Sequence, residues 1–292
     1  MSPPARVPVD WPARELSRDV AAAGLNWHVQ VAPGPPGAPT LLLLHGTGAS
    51  THSFAPLLPL LVPHFTVVVP DLPGHGFTTG APLQSLTLPR ISAALGELLK
   101  ALKLPPVQRI GGHSAGAALA LRMALDGLAP GADIVGFNPS LVAMPAFYMQ
   151  FIAPLINPVA TSSPVAALVA RIAGGSRLID SLLGSTGSQL STAQRQPYRR
   201  LFAMPAHVRG SVGFMAAADL PVLLADSARL ATPCRFILGE RDAWVLPRAL
   251  KPVLARHYPK AEVQSWAGGH LLHEEDPPRA AAQLLAPIGS AR

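Results

Sequence analysis

The chain alternates short, continuous apolar runs with longer stretches of helical spacing. Thr40–Leu44, Phe65–Val69, Val107–Gly111 and Ile134–Phe137 read as strands that helices cover on both faces of a sheet, and all but Val107–Gly111, which carries Gln108 and Arg109, are apolar at nearly every position. Between them, Phe54–Leu61, Leu88–Leu102 and Ala117–Leu125 carry apolar residues at helical intervals among good helix formers. Leu25–Val31 instead alternates apolar and polar, which predicts an early antiparallel strand. The strand–helix rhythm returns at Cys234–Leu238, Pro247–Tyr258, Val263–Trp266 and Pro277–Leu285. Such alternation predicts an α/β fold with a mostly parallel central sheet flanked by helices.

The rhythm breaks between Pro139 and Gly213, where apolar helical pieces are interrupted by prolines and no strand alternates. Because it resumes afterwards, this interval reads as a helical cap inserted between two sheet strands. The predicted organisation is a core of residues 1–138 and 214–292 with a cap of residues 139–213.

Composition narrows the function classes. With 49% hydrophobic and 13% charged residues, the chain can bury a sizeable core, and disorder is excluded. The net charge of +7 invites a nucleic-acid reading, but no Lys/Arg block or finger spacing supports one. The single cysteine, Cys234, lies in an apolar run and reads as a buried thiol. Residues 1–14 lack the apolar stretch of a secretory leader, and no run of 18 apolar residues occurs, so a cytoplasmic location is expected. The ten histidines lack ligand spacing, and neither a metal nor a cofactor is expected.

The candidate chemistry centres on Gly112-His113-Ser114-Ala115-Gly116, which follows a strand and opens a helix. A serine on so sharp a turn needs small neighbours two positions away on each side, and the helix N-terminus beside it favours an anion. Such a serine needs a base and a group that orients the base. Asp242 just after one strand and His270 in the loop after the next supply them in the order serine, acid, histidine. Glu240 is the rival acid and His273 the rival base; Asp242 is preferred for its place past the strand end, His270 for the two glycines before it. The loop His45-Gly46-Thr47-Gly48 would supply an oxyanion hole, with the backbone N–H groups of Thr47 and Ala115 as donors. Asp71 and His75, in the turn after the next strand, read as structural, with Asp71 bonding backbone amides.

These motifs, in this order, resemble the α/β-hydrolase superfamily over essentially the whole chain. The strings Trp27–Gln30, His45–His52, Asp71–Thr78, Gly112–Ala118 and Gly269–Glu275 together are similar to one branch of it. That branch is found with bacteriochlorophyll biosynthesis genes and is called the magnesium-chelatase accessory protein. Thr186-Gly187-Ser188 and Pro205-Ala206-His207-Val208 also resemble it, without an assigned role. The resemblance implies a hydrolase acting on an apolar ester, a tetrapyrrole side-chain ester included, near the magnesium-chelatase step, with the chelatase subunits as partners. The alternative is a porphyrin carrier without catalysis. For that reading the cap offers Arg171, Arg177, Arg195, Arg199, Arg200 and Arg209 as pairs for propionates, against their reading as solvated helix faces. A peripheral membrane contact through Met144–Ala160 is a third reading, opposed by the prolines at 145, 154 and 158.

Overall fold

A computed structural model of the chain describes residues 6–142 and 178–289. Eight strands form one sheet: β1 (Ser17–Ala22), β2 (Leu25–Ala32), β3 (Thr40–Leu44), β4 (Thr66–Pro70), β5 (Val107–His113), β6 (Asp133–Phe137), β7 (Cys234–Gly239) and β8 (Glu262–Trp266). Their order is β1-β2-β4-β3-β5-β6-β7-β8, antiparallel from β1 to β4 and parallel from β4 to β8. The expected α/β fold with a mostly parallel sheet is therefore present.

Period-two alternation divides the core. Leu42 and Leu44 of β3 join Trp27, Ile110 and Leu119 on one face of the sheet. Leu41 and Leu43 join Phe54, Val69 and Phe137 on the other. Both faces are dry, which is why β3 and β4 are apolar at every position after the threonine that opens each of them.

The helices are α1 (Leu58–Leu61), α2 (Leu88–Leu102), α3 (Ala115–Leu125), α4 (Leu178–Gly184), α5 (Thr192–Phe202), α6 (Pro205–Ala217), α7 (Leu220–Asp226), α8 (Pro247–His257), α9 (Leu272–Glu275) and α10 (Pro277–Leu285). Ser191 opens α5 with a full capping box against Gln194, which satisfies donors at both the cap and the first turn. Helices α4 to α7 fall between β6 and β7 in the chain. Residue 213 lies inside α6, which Pro205 opens and which ends at Ala217, and a second helix, α7, follows to Asp226. The segment Met144–Ala160, Arg171 and Arg177 lie outside the described residues.

Strand β1 has no counterpart in the apolar pattern. It is half-exposed, and its hairpin to β2 turns at Ala23 and Gly24, both at positive φ. Alanine at the first of these positions hides a turn that asparagine or glycine would have signalled. Strand β5 runs two residues past Gly111 to His113, which brings the strand end directly against Ser114.

Candidate active site

Ser114 sits between β5 and α3 with φ 52° and ψ −118°, a conformation costly for a residue with a side chain. The surroundings enforce it. Ser114 N–H donates to Phe137 O on β6, and its own carbonyl accepts from Ala117 and Ser140 N–H. A Cβ on Gly116 would lie 2.1 Å from Leu44 O, so only glycine lets α3 start this close to β3. The turn thus holds the serine hydroxyl above the sheet edge at a helix N-terminus.

His270 and Asp242 come to Ser114 from loops after β8 and β7. His270 Nδ1 lies 2.8 Å from Asp242 Oδ2, and His270 Nε2 lies 3.0 Å from Ser114 Oγ. A carboxylate only accepts, so Nδ1–H donates to Asp242 and Nε2 is left to accept from the serine. The other Asp242 oxygen accepts from Trp244 and Val245 N–H, each at 2.8 Å. Asp242 and His270 are buried, whereas the rival acid Glu240 is exposed.

Asn138, at φ 45° just past β6, ties the two loops together. Its amide donates to Gly269 O and His270 O, and its Oδ1 accepts from Gly239 N–H. His113 Nε2–H also donates to His270 O at 2.9 Å; burial holds His113 well below the ordinary histidine range, and the ring is neutral. Neither role has a sequence signature: each joins residues more than a hundred positions apart. The only local hint is a polar residue directly after a buried parallel strand, where sites in open α/β sheets form.

The loop after β3 is braced from within. Leu72 N–H donates to His45 Nε2, so His45 Nδ1–H donates to Gly46 O. Thr47 is the partly exposed residue of an otherwise buried stretch from Thr40 to Ser50, and Ala115 holds the same position between Arg109 and Met123. As the first residue of α3, Ala115 has an N–H without an intrahelical acceptor.

The neighbouring polar groups are structural. Asp71 accepts from Thr51 and Phe77 N–H and pairs with His28 Nδ1 at 2.7 Å. Burial pushes its carboxyl up, but His28 and these bonds pull it down to about 2. His273, the rival base, donates from Nε2 to Ser53 Oγ at 2.8 Å, while Ser53 donates to Glu274 Oε1 at 2.5 Å. Tyr198 of α5 donates to the same oxygen. Burial pushes Glu274 up to about 7 and His273 down to about 3.

The described arginines of the inserted stretch are mostly engaged. Arg199 pairs with Asp180 at 2.6 Å, Arg195 lies 3.9 Å from the same carboxylate, and Arg200 pairs with Asp10. Arg209 borders a cleft of about 580 Å³ with Phe77, Leu83, Leu86 and Met204; Ser114, Asp242 and His270 do not line it. Among the described residues there is no group of three or more His, Cys, Asp or Glu that could hold a metal ion. No single helix among them is long and apolar enough to cross a membrane.

Residues 41–284 match the model of the alpha/beta hydrolase family. The chain is 35% identical to the magnesium-chelatase 30 kDa subunit of Rhodobacter capsulatus, over 93% of this chain and 94% of that one. Among solved structures it is similar to an alpha/beta hydrolase fold protein from Burkholderia ambifaria, with a TM-score of 0.72 and 23% identity over 92% and 99% of the two chains. It is also similar to the enol-lactonase from Burkholderia xenovorans, with a TM-score of 0.73 and 19% identity over 92% and 98%. At these identities the two structures speak for the fold.

Proposed function

The chain belongs to the alpha/beta hydrolase family, in the branch of the magnesium-chelatase 30 kDa subunit, and on that premise we propose that it is a serine hydrolase of apolar esters. Ser114 Oγ attacks the ester carbonyl carbon as its proton passes to His270 Nε2. Collapse of the tetrahedral intermediate breaks the carbon–oxygen bond. The alcohol leaves with the proton from His270, and the acyl group stays on Ser114. Water then attacks the acyl-enzyme with His270 again taking a proton, and the acid and free serine are released.

Asp242 keeps the proton on Nδ1, so that Nε2 faces the serine, and stabilises the imidazolium when it forms. Thr47 and Ala115 N–H receive the oxyanion, and losing one such donor typically costs about 2.7–4 kcal/mol of transition-state stabilisation. The observation that carries the reading is the unbroken line from Ser114 Oγ through His270 to Asp242, 3.0 and 2.8 Å, built on a strained turn at a helix N-terminus. Hydrolysis of p-nitrophenyl butyrate tests it. The wild type turns over with a burst of nitrophenolate and Ser114→Ala does not; equal rates in the two would reject it.

The branch brings the substrate to tetrapyrrole side-chain esters in bacteriochlorophyll biosynthesis, and the relative's name brings the chelatase subunits in as partners. Faster hydrolysis of a porphyrin methyl ester than of an aliphatic methyl ester checks the first. Co-purification with chelatase subunits checks the second. A non-catalytic porphyrin carrier would rest on free arginines around the cap, and the pairing of Arg195, Arg199 and Arg200 with Asp180 and Asp10 counts against it.

A further inference from the structure

The three residues Thr186, Gly187 and Ser188 belong to the inserted stretch, yet they run between the loops that carry Asp242 and His270. Thr186 O accepts from His270 N–H at 3.0 Å, and Ser188 Oγ accepts from Leu271 N–H at 2.8 Å. Gly187 has φ +75°, and a Cβ there would lie 2.0 Å from Arg241 O, one residue before the acid. On the other side, a Cβ on Gly269 would meet Gly187 C and Ser188 N at 2.3 Å. The tripeptide is therefore a close-fitting wedge between the two loops.

It is also firmly joined to the inserted helices. Thr186 N–H and Oγ1–H both donate to Leu183 O at the end of α4, and Thr186 Oγ1 accepts from Ser188 N–H. Ile179 and Leu183 of α4 pack with Leu271, next to His270, in one small apolar cluster. Just before the wedge, Ser185 Oγ accepts from Trp244 Nε1 at 3.1 Å. The Trp244 ring lies 5.5 Å from the His270 ring, and the Trp244 backbone N–H is one of the two donors to Asp242 Oδ1.

The His270 backbone is thus held from two sides. The core grips its carbonyl through His113 and Asn138, and the inserted stretch grips its amide through Thr186. We infer that Thr186–Ser188 is a positioning element for His270 and Asp242, so that the inserted helices set how well Nε2 meets Ser114 Oγ; this rests on the hydrolase reading above. None of the three residues touches the reacting atoms. Their loss acts on the chemical step and not on substrate binding.

The test uses the full chain with Ser188→Ala and Gly187→Ala, and Ser191→Ala as a control that weakens the α5 cap without touching the His270 loop. Three quantities are read: kcat and KM for p-nitrophenyl butyrate, the rate of Ser114 phosphonylation by a fluorophosphonate, and the downfield proton resonance of His270 Nδ1–H. Ser188→Ala is expected to lower kcat and phosphonylation about tenfold and Gly187→Ala about a hundredfold, both with KM unchanged and the resonance shifted or broadened. Ser191→Ala keeps wild-type values. Wild-type kcat and resonance in folded Ser188→Ala, or an equal loss in Ser191→Ala, overturns the inference, and Ser188→Ala decides alone if Gly187→Ala does not fold. A wild type with neither phosphonylation nor the resonance overturns the hydrolase reading and this inference with it.

Discussion

Ser114 and Ser53 each lie within hydrogen-bonding reach of a histidine in a cluster that also holds a carboxylate, and the two clusters are wired in opposite senses. At Ser114 the acid holds the histidine, and the histidine accepts from the serine. At Ser53 the acid holds the serine directly, the histidine donates to it from Nε2, and His273 Nδ1 has no partner among the described residues. Proton traffic at Ser53 therefore runs toward the carboxylate, and His273 cannot act as a base through Nε2.

The surroundings differ as well. Ser114 is 9% exposed on a strained turn at a helix N-terminus, whereas Ser53 is wholly buried in a short helical stretch. Residue types alone do not make a reactive serine, and neither does connection alone: Ser17 Oγ lies 2.9 Å from His28 Nε2 with Asp71 on Nδ1, yet it stands in strand β1 and not on a strained turn at a helix N-terminus. The second cluster joins α5 to α9 through Tyr198 and Glu274, and so stabilises the segment that follows His270.

The largest separation between the two clusters is expected in turnover. Ser114→Ala should lower kcat by roughly 10⁶-fold, while Ser53→Ala should leave it within about twofold, both read with p-nitrophenyl butyrate. The acids should divide next. Asp242→Asn leaves the wrong imidazole tautomer and should cost about 10⁴-fold in kcat. Glu274→Gln retains an oxygen that accepts from Tyr198 and Ser53, and should leave kcat nearly unchanged. A third change acts on the oxyanion side. A Cβ on Gly46 would lie 2.7 Å from His113 Nδ1 and 3.0 Å from Ser114 Cβ. Gly46→Ala should therefore lower kcat by about a hundredfold with KM little altered.

The smallest expected effect is on stability against pH. Glu274 is pushed up to about 7 by burial from an ordinary value of 4.5, so between those values the folded state holds a proton that the unfolded state has lost. Its contribution to stability is present below pH 4.5 and fades as pH rises to about 7, on the order of 3 kcal/mol in total. The buried histidines work the other way. Burial lowers His207 to about 4 and His52 and His273 to about 3, so the protein loses stability as pH falls from 6.5 toward those values. The difference in unfolding free energy between Glu274→Gln and wild type isolates the carboxyl. It should increase with pH from 4.5 to 7 and be flat above; parallel curves would contradict the assignment.

Much of this arrangement is legible in the sequence because the parallel strands are short, apolar and separated by regular helices. Ser114, Asp242 and His270 each lie just after such a strand, so reading the strands places all three at one edge of the sheet. Strand β1 is not legible, since its residues are half-exposed and its turn is built on Ala23. The supports of the site are not legible either. Asn138 reaches Gly269, and Thr186 reaches His270, across separations that leave no periodic trace. The arginines of the inserted stretch look free in sequence because Asp10 and Asp180 are distant from most of them along the chain. Folding is what brings the charges together.

Mass mapping of the intact protein after treatment with a fluorophosphonate bears most directly on the contrast between the two serines. The account predicts a single adduct, on the peptide that contains Ser114, with none on the Ser53 peptide and none anywhere in folded Ser114→Ala. No adduct on folded wild type, or an adduct that persists in Ser114→Ala, would contradict it.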